Sequence, residues 1–250
     1  MEKWLCDAEE KYNIDILFAC EAGSRAWGTD DAESDYDVRF IFKHRDLRAY
    51  LSLERDIEVI DTAAAPFDAH GWDVFKAFGL MKKSNPSIYE WAYSPIIYRD
   101  VDKFSVRLRK IAEKEFSQYK LFQHYIQLFS RNLKEAAQKE TFTEKKQKLL
   151  IQAVRAYLIA RQILEADRLN GSFLYKELFR LQDNNIFTDF YRELAKEKQN
   201  GRLVSEKYAD RMVYLLKSEK EAMYAAAETM SAKSKPVSGL NEWLWELLKI

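Results

Sequence analysis

The residues best equipped for chemistry lie between Gly23 and Asp37, in the run Gly-Ser-Arg-Ala-Trp-Gly-Thr-Asp-Asp-Ala-Glu-Ser-Asp-Tyr-Asp. Asp35 and Asp37 stand one residue apart at the head of an apolar stretch from Tyr36 to Phe42. Side chains alternate faces along a strand, so an extended backbone here projects both carboxylates from one side. Two like charges held on one rigid face cost free energy unless a cation neutralises them. Hard oxygen donors suit Mg²⁺, with Mn²⁺ as its substitute, usually in company with substrate phosphates. The Gly23-Ser24 turn in front offers backbone N–H groups and a hydroxyl for those phosphates. A metal clamp beside a phosphate cradle implies nucleotidyl transfer from an NTP. The metal set therefore begins with Asp35 and Asp37, and the nucleotide-binding set with Gly23 and Ser24.

Basic residues could complete the grip. Arg39 falls two residues beyond Asp37 and so shares its face, where it can reach a phosphate oxygen or brace the carboxylate. Arg25 follows the Gly-Ser turn directly. Lys148 and Arg155 are seven apart, about 10 Å along one helix face, and form the best-spaced basic pair for a triphosphate tail. The competing expectation for that pair is a solvated face in the lysine-rich stretch Lys145, Lys146, Lys148. His70, His124, Trp27 and Trp72 are expected to be packing or ordinary polar residues.

These groups need elements to hold them. Residues 3–12 read as a leading helix, Ile14–Cys20 as a buried strand, and Tyr36–Phe42 as the strand after the turn. Asp56–Asp61 alternates apolar and acidic residues with a period of two, the mark of a further strand. Thr62–Pro66 reads as a loop, Phe67–Trp72 as a short strand, and Asp73 as the start of a helix that ends before Asn85-Pro86. A short helix through Ile88–Tyr93 precedes Ser94-Pro95, and Ile96–Tyr98 can close the sheet. Beyond residue 103, apolar positions recur at three- and four-residue steps. Helices are expected near 105–139, 144–166, 173–182, 187–199, 203–232 and 240–249. Asn170-Gly171 and Asn200-Gly201 are the stops. The expected fold is α+β: residues 1–103 carry a small sheet and the catalytic groups, and residues 104–250 form an all-helical domain that closes the nucleotide cleft.

Composition narrows the classes. The 250 residues hold 40 basic and 40 acidic side chains, so no net field draws the chain to nucleic acid or membrane. Two cysteines and three histidines make neither a disulfide scaffold nor a zinc pattern. No apolar run approaches a membrane span, and the first residues lack a signal peptide's apolar stretch, so a cytoplasmic protein is expected. Only seven glycines occur, yet Gly23 and Gly28 fall within six residues.

Gly23-Ser24, followed after ten residues by Asp35-Tyr36-Asp37, resembles the signature of the DNA polymerase β-like nucleotidyltransferase superfamily. The wider string Glu-Ala-Gly-Ser-Arg-Ala-Trp-Gly … Ser-Asp-Tyr-Asp-Val-Arg is similar to its RNA-ligase-associated, RlaP-type branch. So are Phe67-Asp-Ala-His-Gly-Trp-Asp-Val-Phe-Lys76 and Asn85-Pro86 … Glu90-Trp91 … Ser94-Pro95. The likeness is dense over residues 18–98. It thins afterwards to His124-Tyr125 and the Lys148 … Arg155 … Arg161 spacing. The resemblance implies a polymerase β-like α/β catalytic domain and a two-metal reaction that moves an NMP to an acceptor hydroxyl with release of pyrophosphate. It also implies a third carboxylate, as general base and metal ligand. By resemblance this is Asp68, with Asp73 as runner-up and Asp61 and Glu58 behind; Asp73 also suits the N-cap of the following helix. An NTP substrate is the partner so implied; the acceptor is left open among an RNA end, which is the family-level expectation, a small molecule and a protein side chain, with no membrane and no definite oligomeric state. The alternative function is a nucleotide-binding sensor or antitoxin-like module without turnover. The intact Asp-x-Asp pair favours the enzyme.

Overall fold

A computed structural model describes residues 1–53, 57–138, 141–182, 184–230 and 236–250. In chain order the elements are α1 (Glu2–Tyr12), β1 (Ile14–Glu21), α2 (Ser24–Trp27), β2 (Tyr36–His44), α3 (Arg48–Leu51), β3 (Val59–Ala64), β4 (Phe67–Asp73), α4 (Val74–Lys82), α5 (Pro86–Ala92), β5 (Ile97–Asp100), α6 (Phe104–Glu115), α7 (Gln118–Ala137), α8 (Glu144–Glu165), α9 (Tyr175–Leu181), α10 (Ile186–Gln199), α11 (Glu206–Ala227) and α12 (Leu240–Leu248). The class is α+β. The described strands form one mixed five-stranded sheet in the order β3-β4-β2-β1-β5. β2 and β4 run parallel at its middle, while β1 with β2, β1 with β5 and β3 with β4 are antiparallel.

Alternation sorts β2 into two faces. Val38, Phe40 and Phe42 join Ile14, Ile16 and Ala69 in a core closed by Leu5 and Ala8 of α1. That helix stops at Asn13, whose left-handed backbone (φ 52°, ψ 50°) returns its N–H to Glu9 and releases the chain into β1. Asp37, Arg39, Ile41 and Lys43 face the other way. There Phe18 stacks on Phe104 of α6 at 6.1 Å, and Trp243 of α12 lies 4.6 Å from Phe104 and 4.8 Å from Phe78 of α4.

The chain divides into two compact units that do not follow the 103/104 boundary. One comprises residues 1–26, 34–116 and 234–250, so α6 and α12 belong with the sheet, through the aromatic contacts just given. The other comprises residues 27–33 and 117–233. The segment 27–33 joins this helical unit because Lys198 Nζ donates to Thr29 O (2.6 Å) and pairs with Asp31 (3.0 Å), and Gln199 Nε2 donates to Gly28 O (3.1 Å). Of the apolar positions that recur along 144–165, Leu150, Val154, Tyr157 and Leu158 of α8 are fully buried, with Phe129 of α7 against Tyr157, whereas Leu164 is half-buried and its neighbour Ile163 takes the inner position.

Several elements differ from the sequence expectation. The stretch 105–139 is broken in two by Phe116, which is extended, and Ser117, whose hydroxyl caps α7 by accepting from Lys120 N; residue 139 lies outside the described residues. β3 extends through Thr62–Ala64, where a loop was expected, because Thr62 pairs with Ala69 and Ala64 with Phe67. Cross-strand pairing overrides the weak strand preference of alanine there. Asp56, and the end of the helix expected over 203–232, lie outside the described residues. Lys146 is buried rather than solvated, with its ammonium 5.6 Å from the Phe142 ring and 3.6 Å from Asp210.

Candidate functional site

The parallel β2–β4 ladder sets the site. Its register pairs Asp37 directly with Asp68. Neighbouring parallel strands keep partner side chains on one face, so the two carboxylates stand side by side. Between them lies the guanidinium of Arg39, 3.1 Å from Asp37 Oδ1 and 3.5 Å from Asp68 Oδ1, and it also donates to Asp68 O at 2.8 Å. Asp35 precedes the strand, which begins at Tyr36, so strand alternation does not by itself position it. Its carboxylate is exposed but near enough to raise the pKa of Asp37. Burial is the larger cause of that upward shift, Arg39 opposes it, and Glu21, Asp68 and Asp35 add to it.

Gly23 has a steric task. A Cβ there would come 1.5 Å from Asp37 Oδ2, so only glycine lets the carboxylate lie against the turn. Its N–H is already committed, donating to Glu21 Oε1 at 3.2 Å. Gly28 does adopt a left-handed backbone, with φ 64°. Ser24 opens the single turn of α2. Arg25 straps the loop that leads to Asp35, donating to Ser34 O (2.6 Å) and Asp35 O (3.3 Å) with its guanidinium 4.2 Å from the Tyr36 ring.

Beneath these groups lies a residue that sequence reasoning passed over. Glu21 is fully buried, and its carboxylate accepts from Asp37 N (2.9 Å), Gly23 N (3.2 Å) and Tyr98 Oη (2.6 Å). One buried acid thereby ties the end of β1 to the glycine turn, the start of β2 and β5. Burial, then the bond to Glu21, hold the Tyr98 phenol well above its usual pKa. The signal was a charged residue ending the apolar run Ile14–Cys20 immediately before Ala22-Gly23.

Asp73, the runner-up third carboxylate, lies at the opposite end of β4 from Asp68. It caps α4 by accepting from Phe75 N (2.8 Å) and from Tyr50 Oη (2.6 Å). Burial raises its pKa against those two bonds. Asp61 pairs with His70 at 3.4 Å. Lys148 and Arg155 belong to the helical unit, and the carboxylates to the other. Lys148 is exposed, whereas the Arg155 guanidinium lies 4.2 Å from the Trp27 ring. Trp72 stacks on Trp91 at 4.1 Å.

Among the described residues no three His, Cys, Asp or Glu side chains are already grouped as a metal set. The donor chemistry nevertheless fits a hard divalent cation. Asp37 and Asp68 offer carboxylate oxygens in register, the one position where a Gly23 Cβ would intrude is left open to Asp37, and a cationic group already sits between the two acids.

A family model described as the RNA repair pathway DNA polymerase beta family, RlaP, matches residues 1–246. A relative in Bacillus subtilis (strain 168), the uncharacterized protein YcgL, is 29% identical over 238 residues, spanning 94% of this chain and 90% of that protein. A crystal structure of a nucleotidyltransferase-like protein from Exiguobacterium sibiricum is similar at 12% identity and a TM-score of 0.35, covering 99% of this chain and 78% of that one. No helix among the described residues is long and apolar enough to cross a membrane.

Proposed function

We propose a function from one premise: this chain belongs to the RNA repair pathway DNA polymerase beta family. That family points to a polymerase β-like nucleotidyltransferase. The reaction proposed is transfer of an NMP from an NTP, ATP first among them, to an acceptor hydroxyl at an RNA end, in the cytoplasm. The observation that carries it is the Asp37–Asp68 pair in register on parallel strands, with Asp37 laid against Gly23.

The acceptor oxygen attacks the α-phosphorus and a new P–O bond forms. The bond from that phosphorus to the bridging oxygen of the β-phosphate breaks, and pyrophosphate leaves with the electron pair. The acceptor proton passes to the Asp68 carboxylate, the more exposed of the paired acids (48% against 27%). Asp35, Asp37 and Asp68 would hold Mg²⁺, or Mn²⁺ in its place, which when bound supplies charge neutralisation to the phosphates and to the leaving pyrophosphate. Arg39, on the same face as Asp37, would take a phosphate oxygen. Ser24 offers its hydroxyl to the nucleotide phosphates, while Gly23 and Arg25 keep the turn in shape. Lys148 and Arg155 are the helical unit's candidates for the nucleotide phosphates.

Incubation with α-labelled ATP, Mg²⁺ and RNA acceptors tests the reading. The expected product is RNA carrying the label, formed by the wild type and absent with Asp37→Ala. A protein that binds ATP yet labels no acceptor would instead be a sensor.

A further inference from the structure

The helical unit contains a cleft of about 440 Å³ whose lining includes Trp27, Tyr191, Lys176, Arg180, Arg192 and Lys196. Among the described residues, four cationic side chains border it and no carboxylate does. Arg180 and Arg192 carry helix-surface pairs to Glu177 and Asp189, three residues away, which solvent and salt weaken. Lys176 and Lys196 make no ion pair among the described residues. Two further groups bear on what the cleft takes. Trp27 Nε1 is buried without a hydrogen-bond partner among the described residues, and Tyr191 Oη has only the donor Arg155 beside it, which leaves its own O–H without an acceptor; the two residues are 5% and 3% exposed. Such orphans are rare and carry a free-energy cost, so a ligand that accepts from them gains by relieving it.

The aromatic groups are held firmly. The Trp27 ring lies between the Arg155 guanidinium (4.2 Å) and the Tyr175 ring (4.4 Å), and Tyr191 stacks on Phe179 at 4.1 Å. Burial raises the Tyr191 phenol to about 12, against the pull of Arg155, so it stays a hydroxyl donor at neutral pH. Orphan donors and unpaired ammonium groups call for an oxyanion. The volume exceeds what a bare inorganic anion fills and lies in the range of organic-ligand pockets.

We propose that this cleft binds the phosphorylated end of a ribonucleotide, with its phosphate on the lysine and arginine rim and its oxygens accepting from Trp27 Nε1 and Tyr191 Oη. The anion chemistry stands on the cleft alone; the choice of a ribonucleotide over another organic phosphate rests on the transferase reading. A free nucleotide and an RNA terminus present the same group, and the experiment separates them.

The full-length chain is titrated, with EDTA and no NTP, against AMP by calorimetry and against a short fluorescent 5′-phosphorylated oligoribonucleotide by anisotropy. Neither measurement requires turnover, so loss of label transfer with binding intact would count against the transferase reading alone. Lys176 and Lys196 are exposed, so the double variant Lys176→Glu/Lys196→Glu should keep its unfolding midpoint and weaken binding at least about tenfold. Trp27→Phe keeps an aromatic ring but loses the indole N–H with the five-membered part of the ring, and should weaken binding several-fold with the unfolding midpoint measured alongside. Lys207→Glu, on α11, should change nothing. Binding of AMP with these losses assigns a free nucleotide, and binding of the oligonucleotide alone assigns an RNA end. Absence of binding by both probes, or equal affinity of wild type and double variant, overturns the proposal.

Discussion

The sheet unit and the helical unit each gather charge, but in opposite sign and by different means. At the β2–β4 ladder, acids are brought together by backbone hydrogen bonding, which fixes Asp37 beside Asp68 and sets Gly23 against them. In the cleft bordered by α9 and α10, cations stand on helix surfaces at the ends of long stems. The difference matches what each place is proposed to do. Bond making tolerates little misplacement of the reacting groups, and strand pairing supplies that rigidity. Holding a phosphate is met by mobile lysines that adjust to it, with the precision left to two buried donors.

Breaking the acidic pair should have the largest effect. Asp37→Ala is expected to remove transfer altogether and to remove Mg²⁺-dependent thermal stabilisation, while the fold persists; retained activity would break the comparison at its root. Asp68→Asn should lower turnover by several orders of magnitude with little change in NTP affinity, as expected for a group acting in the transition state. Asp73→Asn is its control. Asn caps a helix about as well as Asp, so the α4 cap and the activity should both be kept; the reverse pattern of losses would move the third carboxylate to Asp73. Gly23→Ala should also be severe, since its Cβ meets Asp37 Oδ2 at 1.5 Å. We expect about 1–3 kcal/mol of destabilisation by overpacking, relieved in an Asp37→Ala background, where the clashing carboxylate is gone.

Smaller effects sharpen the contrast. Lys148→Glu should weaken ATP binding by about tenfold, or 1.4 kcal/mol, with stability nearly unchanged; equal affinities in a titration with Mg²⁺ would confine the nucleotide grip to residues 23–39. The smallest effect concerns stability against pH. Asp37 has a folded pKa above its ordinary 3.8, so the folded state holds that proton more tightly than the unfolded chain. Its contribution is therefore most favourable below 3.8 and is lost as pH rises through the raised folded value. Asp37→Asn should flatten that decline in metal-free protein and leave the midpoint at neutral pH equal or higher. A lower midpoint would mean that the Arg39 pair outweighs burial.

The sequence revealed the acidic site more fully than the cationic one. Asp35 and Asp37 after Gly23-Ser24 form a short local motif, β2 announced itself by an apolar run, and β4 was legible as a short strand over Phe67–Trp72. Glu21 was not legible, because a single acid at a strand end looks like a boundary residue until β5 and the turn close over it. Gly23 was legible as a glycine needed at a turn but not for its reason, which depends on the approach of Asp37. The cleft was invisible for a further reason: Trp27 and Tyr191 are far apart in sequence, and exposed lysines on amphipathic helices look alike. The break at Phe116-Ser117 was missed because apolar spacing runs on across it.

The central claim is that the β2–β4 acids catalyse nucleotidyl transfer. Its most direct test is label transfer from α-labelled ATP to RNA ends, with tRNA and proteins as parallel acceptors, in the presence of Mg²⁺. The account predicts covalently labelled RNA and released pyrophosphate with the wild type, abolished by EDTA and by Asp37→Ala. Absence of label from every acceptor, or equal labelling by Asp37→Ala, would contradict it.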